Sequence, residues 1–534
     1  MSSGRTTRVG RFALIAALAS TITVTSIGES GPTAAEEPAA TAAATSPAVV
    51  GDALTNPASR LIPINPVRVV DTRTDPLIRR LWQRSAFSID PITDTGVAQR
   101  AGVSADDITA VVVNMTYVNA GSVGFGTTWP TGGKRPFTST NNLDFVGHTT
   151  PNLVIAPLGL DRKISTYSSA ISDVIIDVLG VFVESVASAE GRFEPLPPTR
   201  VTDTREPGVP DLAAGRPVTV DLRPFGVPSD ATAVVLNLTS VKARGPGFYR
   251  VWPADDPEPG HSNVNVQQAD TDTSNQVVVG VDSGRVKVSS SMAGGMIIDV
   301  TGFFTGPSAE VDTAGLFVPF TPGRLLDTRN SSGPTDGQRL RASTPVDLRV
   351  DGRLDVPDGA ATAVALNLTA TAPSQRGFLK AWGTGTAEPP TSALNTSRSG
   401  QTVPNHAITS IDPDDGRVRF ESSMQTHLVV DATGYFLASG APAPSGTAAV
   451  TKTVDPGSFD PAPLGAEPTA GPYDLLLDRA TALSTGTRPN PTIKVAWRVC
   501  GPNPTLRYAL NIDIADNDAQ IAALISAIED VERA

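Results

Sequence analysis

Cysteine is almost missing from this 534-residue sequence: there is one, Cys500, beside only four histidines. A single cysteine cannot close an intrachain disulfide, so a disulfide-stapled scaffold is excluded, as is a zinc site built from several thiolates. Charge is scarce too, at 18% of residues against about 25% in an average soluble chain. What charge there is leans acidic, with a net value of −12. That balance excludes a protein organised around a cationic face for phosphate, and no nucleic-acid partner is expected. Only seven of the 42 basic residues are lysine, a bias that fits genomic base composition better than a binding device. With 40% hydrophobic residues the chain is not globally disordered. Its length suggests several domains rather than one.

The N-terminus carries an address. Arg5, Arg8 and Arg11 precede an apolar run from Phe12 to about Val24, and small residues near Ser26 or Thr33-Ala34-Ala35 offer cleavage points. This is the layout of a secretory signal peptide over residues 1–35. The alternative is an uncleaved anchor, but the run is shorter than the ~20 residues that a spanning helix needs. No later segment is apolar enough to cross a bilayer, so no membrane span is expected after signal cleavage. Residues 36–60, rich in Ala, Thr and Pro, read as a linker. The expected location is outside the cell, secreted or bound to the cell surface or wall.

What the sequence has in abundance is itself. Three openings align: Arg68-Val69-Val70-Asp71-Thr72-Arg73, Arg200-Val201-Thr202-Asp203-Thr204-Arg205 and Arg324-Leu325-Leu326-Asp327-Thr328-Arg329. Three closings align as well, around Asp177-Val178-Leu179-Gly180-Val181-Phe182, Asp299-Val300-Thr301-Gly302-Phe303-Phe304 and Asp431-Ala432-Thr433-Gly434-Tyr435-Phe436. Between them the spacing is rigid. Asn114, Asn237 and Asn367 are followed at fixed distances by Trp129, Trp252 and Trp382, then by Ser139, Ser262 and Ser392. The same register continues to Asn142, Asn265 and Asn395, and then to Asn152, Asn275 and Asn405. The repeats divide the chain into modules at 61–186, 187–308 and 309–437, followed by a linker at 438–468 and a distinct segment at 469–534. Each copy is too long for a propeller blade and has the length of a self-sufficient domain.

Within a copy the period is that of strands. In Ala233–Thr239, Val234, Leu236 and Leu238 fall on one face, with Asn237 and Thr239 on the other. About eight short strands per copy, with Gly, Pro and Asp turns between them, predict an all-β chain of three tandem antiparallel sandwiches or jelly rolls.

The Arg-x-x-Asp-Thr-Arg opening, the Asn-x-Thr strand, the Trp step and the Asp-x-x-Gly-Phe/Tyr-Phe closing resemble a β-rich repeat module of exported proteins from high-GC Gram-positive bacteria. The resemblance covers about residues 61–437. It implies a surface- or wall-associated accessory module without an established ligand; for such a location a cell-wall polysaccharide or other glycan is the partner to expect.

The recurrent residues admit two readings each. Arg68, Arg73, Arg200, Arg205, Arg324 and Arg329 could present guanidinium forks to an acidic glycan, or clamp Asp71, Asp203 and Asp327 at a turn. On a regular strand Arg68 points away from Asp71 and Arg73, so the three do not converge by themselves. Trp129, Trp252 and Trp382 could stack on sugar rings or fill a sandwich core. Asn114, Asn237 and Asn367 lie in Asn-x-Thr acceptor sequences, yet mid-strand, where glycosylation is not expected and bonding to turn backbone is. Asp177, Asp299 and Asp431 have no neighbouring carboxylates for a calcium cage. No catalytic residue, metal or cofactor is expected.

The C-terminal segment changes character. Ile493–Cys500 and Thr505–Ile512 read as strands, and Ile521, Leu524, Ile525, Ile528 and Val531 recur at helical spacing behind the cap residues Asp516-Asn517-Asp518. With Trp497, Cys500, Pro504 and Leu506–Asn511, this β–β–α stretch resembles the N-terminal opening of matrixin-like zinc metallopeptidases. Those enzymes need His-Glu-x-x-His, in which two histidines bind zinc and the glutamate activates water. Here no histidine follows His427. The expectation is an incomplete catalytic domain, or else a small α/β appendage.

Overall fold

The computed structural model describes residues 57–75, 80–93, 95–159, 161–330, 335, 337–444, 492–498 and 507–513. The proposed signal peptide, both proposed linkers beyond residue 444 and before 57, Cys500 and the C-terminal helix lie outside them.

The chain is all-β, as the alternating pattern predicts. The first copy contributes β1 (Ser59–Asp71), β2 (Ser85–Ile89), β3 (Ile108–Val118), β4 (Gly124–Pro130), β5 (Asn141–Leu143), β6 (Thr150–Pro157), β7 (Ile164–Ser168) and β8 (Asp173–Glu184). The second runs β9 (Phe193–Asp203), β10 (Val218–Asp221), β11 (Ala233–Val241), β12 (Gly247–Pro253), β13 (Val264–Val266), β14 (Thr273–Gly280), β15 (Arg285–Ser290) and β16 (Gly295–Phe304). The third runs β17 (Phe317–Asp327), β18 (Val346–Arg349), β19 (Ala361–Thr371), β20 (Gly377–Gly383), β21 (Leu394–Thr396), β22 (Thr402–Ser410), β23 (Arg417–Ser422) and β24 (His427–Leu437).

Each copy is two four-stranded antiparallel sheets. The inner sheet has the order β6-β3-β8-β1, the outer β2-β7-β4-β5, and the other copies repeat both. In the first and third copies the inner sheets join where Ser59 of β1 pairs with Phe317 of β17. Alternation along the inner strands sends side chains two ways. Val234, Leu236 and Leu238 enter the core between the sheets of the second copy, with Tyr249, Val251 and Val288 from the opposite sheet. Their neighbours Ala233 and Val235 face away from it.

That outward face is where the structure departs from self-sufficient domains. Ala110, Val112, Phe182, Ala233, Val235, Phe304, Ala363, Ala365 and Phe436 belong to one further core shared by all three copies. The closing phenylalanines form a near-equilateral triangle, with ring centroids 6.2 Å apart for Phe182–Phe304, 6.2 Å for Phe304–Phe436 and 6.4 Å for Phe182–Phe436. Three sandwiches thus close around a pseudo-threefold axis. An apolar inner sheet with both faces covered explains why its strands read as nearly continuous hydrophobic runs.

The closing glycine now has a reason. A Cβ on Gly302 would lie 2.4 Å from the Phe193 ring, and one on Gly434 would lie 2.3 Å from the Phe317 ring. Only glycine lets those rings reach the axis.

Separately, β25 (Thr492–Arg498) and β26 (Arg507–Asp513) form an antiparallel hairpin in continuous register, Thr492 facing Asp513 and Arg498 facing Arg507. The two strands expected in the C-terminal segment are there.

Candidate functional site

The first cluster is the opening motif against the closing one. Arg68 donates Nε to Asp177 Oδ1 at 2.8 Å and Nη2 to Oδ2 at 3.1 Å. Arg200–Asp299 and Arg324–Asp431 repeat this fork, with Nε bonds of 2.8 and 2.7 Å. The same guanidinium also reaches Asp71, Asp203 or Asp327, at 3.4, 2.9 and 3.0 Å. Regular strand geometry put Arg68 on the opposite side from Asp71. A β-bulge between Arg68 and Val70, repeated at Asp299/Ile298 and Arg324/Leu326, turns it back, and the three side chains do converge. Arg73, Arg205 and Arg329 then close on the same carboxylates, with Nη2 bonds of 2.7, 2.6 and 2.6 Å. The threonine between them staples the strand: Thr72, Thr204 and Thr328 each accept a backbone N–H from the closing strand at 2.9 Å.

The electrostatics follow. Burial pushes the carboxyls of Asp177, Asp299 and Asp431 up, and the guanidinium bonded to both oxygens opposes it. The Arg205 fork holds Asp203 down at about 2. Every candidate arginine is therefore already occupied by a carboxylate of its own copy, although Arg73, Arg205 and Arg329 remain about half exposed.

The second cluster is the ring of asparagines. Asn114 Nδ2 donates to the Ser262 carbonyl at 2.7 Å, Asn237 to Ser392 at 2.7 Å and Asn367 to Ser139 at 2.6 Å. Each bond crosses to the next copy, and the third returns to the first. Asn275, Asn405 and Asn152 answer by donating to Asn114, Asn237 and Asn367, and their own Oδ1 atoms accept from Leu153, Gln276 and His406 backbone N–H groups. The fixed spacing from Asn to Ser to Asn is the spacing of this interface. The expected bonding to backbone is present, but to the backbone of a different copy. The Asn-x-Thr sequences are buried here, which leaves no room for a glycan on them.

The tryptophans do not offer a platform. Trp129, Trp252 and Trp382 are 6%, 2% and 3% exposed. Trp252 donates its indole N–H to the Asp256 carbonyl at 3.1 Å, and Trp129 to Gly133 at 3.3 Å. An indole packed on both faces cannot stack on a sugar, so as stacking surfaces these three residues are corrected to packing. Among the described residues the exposed indole is that of Trp82, which lies outside the repeat register.

The junction of the first and second copies holds a cleft of about 280 Å³. Its first-copy wall is the proline bulge Pro63–Pro66 with Arg100 and Leu179; its second-copy wall includes Trp252, Asp256, His261, Asn263 and Asp282. His261 is 4% exposed, its Nδ1 has no hydrogen-bond partner, and burial depresses its pKa to about 4. Sequence reasoning passed over His261 because it breaks the repeat instead of sharing it: Thr138 and Thr391 stand at the same place.

Comparison with protein-family models and with curated proteins finds no match for this chain.

Proposed function

We propose that this chain is an exported, surface- or wall-associated scaffold that acts by binding, with a glycan as its ligand, and that it performs no catalysis itself. The carrying observation is the commitment of the recurrent polar residues: the arginine forks are spent on pinning the opening strand of each copy to its closing strand, and the asparagines on holding three sandwiches in one ring. What the repeat maintains is therefore a rigid frame. Binding belongs to places where the copies differ, and the cleft beside His261 is such a place. The signal-like N-terminus and the resemblance to exported repeat modules support the location. Among the described residues no helix is long and apolar enough to cross a membrane.

The test is co-sedimentation of the purified chain with isolated wall polysaccharide. Saturable retention that free polysaccharide competes away is expected. Recovery of all the protein in the supernatant would overturn the reading.

A second reading is favoured by the β25–β26 hairpin, which lies where the sequence resembles the opening of matrixin-like zinc peptidases. In it the ring is an appendage that targets a peptidase. Stoichiometric zinc in the purified chain, with casein hydrolysis abolished by a chelator, would favour this reading over the first.

A further inference from the structure

The first and second junctions are built from one repeat and should look alike, yet the first is the more open. At the second junction the position equivalent to the cleft, lined by Pro198, Thr301 and Thr391, closes to about 20 Å³. At the first junction Leu179 and His261 take the places of Thr301 and Thr391, and about 280 Å³ stays free. That is near the lower end of small-molecule sites, which run from about 300 Å³. It suits a ligand of one ring.

The polar groups around it describe that ligand. Asn263 accepts the Val251 N–H on Oδ1 at 2.8 Å, and among the described residues its Nδ2 donates to nothing. The buried His261 Nδ1 is likewise unspent, a condition that native structures rarely tolerate without a purpose. Asp256 and Asp282 supply carboxylate acceptors, and Arg100 has no carboxylate partner among the described residues. Two carboxylates against one guanidinium disfavour an anion. No three His, Cys, Asp or Glu side chains gather to hold a metal among the described residues. Ile64, Leu179, Val278 and Trp252 complete an apolar wall. Hydroxyl groups on one edge and a C–H face on the other are what this lining complements.

We propose that the junction of the first and second copies binds a single neutral sugar ring, with Asp256, Asp282, Asn263 and His261 reading its hydroxyls. The proposal rests on the glycan-binding reading above and gives it a place. It moves recognition from the buried indoles to a junction where His261 and Leu179 replace the threonines of the second junction.

With four histidines in the chain, imidazole NMR signals are separable. The full chain, labelled at histidine, is titrated to millimolar concentrations with glucose, galactose, mannose and N-acetylglucosamine in turn. The expected result is a saturable shift of His261 with at least one sugar, while His148, His406 and His427 stay still. Asn65→Trp, at an exposed position of the cleft wall, should abolish the shift, and Asp256→Asn should weaken it tenfold or more. No shift with any of the four sugars, equal shifts at all histidines, or a shift that survives Asn65→Trp would overturn the proposal. Co-sedimentation of the same preparation separates the two ideas. Retention on wall polysaccharide with an unmoved His261 removes the cleft and leaves the function, whereas no retention and no shift removes both.

Discussion

Asn237 and Ser392 lie 155 residues apart, in different copies of the repeat, and are joined by an amide-to-carbonyl bond of 2.7 Å. The same pair recurs at Asn114–Ser262 and Asn367–Ser139, so the bonds run round a closed ring. A polar side chain on an otherwise apolar face is costly unless satisfied, and here each one specifies a neighbour.

Asn237→Ala removes the donor to the Ser392 carbonyl and one of the two acceptors of Asn405 Nδ2, which keeps only the Ala393 carbonyl. Leaving such groups unpaired costs about 1–3 kcal/mol. Urea unfolding of the full chain should show a loss of that size. Asn405→Ala should be non-additive with it, because the two side chains share one bond.

Asp299 is fully buried and forked by Arg200. Asp299→Ala takes two hydrogen bonds from the Arg200 guanidinium and leaves it Asp203 alone, and should cost about 1–3 kcal/mol. Replacing both, as Arg200→Met with Asp299→Leu, should cost clearly less than the single change. A double variant as damaged as Asp299→Ala in denaturant titration would mean that the fork is not the source of the loss.

His406 sits beside the axis, its Nδ1 2.8 Å from Gln276 Oε1 across the junction of the second and third copies. Burial lowers its pKa from 6.5 to about 3, so the folded chain keeps it neutral while the unfolded chain binds a proton below about 6.5. Its contribution is complete above pH 6.5 and is lost as pH falls toward 3. In that window one proton corresponds to about 1.4 kcal/mol per pH unit. His406→Gln, which copies the residue of the second repeat, should flatten the dependence of stability on pH by about that slope. Parallel curves for the two proteins would contradict it.

A copy cut out of the ring, residues 190–306, would expose the face that carries Ala233, Val235, Phe193 and Phe304. Light scattering should find it self-associated, since an apolar patch of that kind does not stay bare on a soluble monomer. A monodisperse monomer that unfolds cooperatively would restore the independent-domain picture.

The class of fold was legible because alternation in strands such as Ala233–Val241 is a local signal. The closed ring was not. Ala233 and Val235 share a face with the polar Asn237 and Thr239, and only the arrival of Phe304 and Phe436 from elsewhere shows that this face is covered. Likewise the Arg68 fork depends on a bulge that moves one side chain across the strand, and no composition rule announces a bulge. The repeat marked Asn114, Asn237 and Asn367 as constrained without revealing that their partners lie in the next copy. His261 was hidden for the opposite reason, being the position where the copies disagree.

A shared core at the axis makes the three copies one cooperative body. Scanning calorimetry of the full chain and of Phe304→Ala tests this directly. A buried Phe→Ala change costs about 3–5 kcal/mol, and although Phe304 belongs to the second copy its ring meets those of the other two. The account predicts one transition for all three repeats, with calorimetric and van't Hoff enthalpies that agree, moving down as a whole in the variant. Separate transitions, with only the one assigned to the second copy displaced by Phe304→Ala, would contradict it.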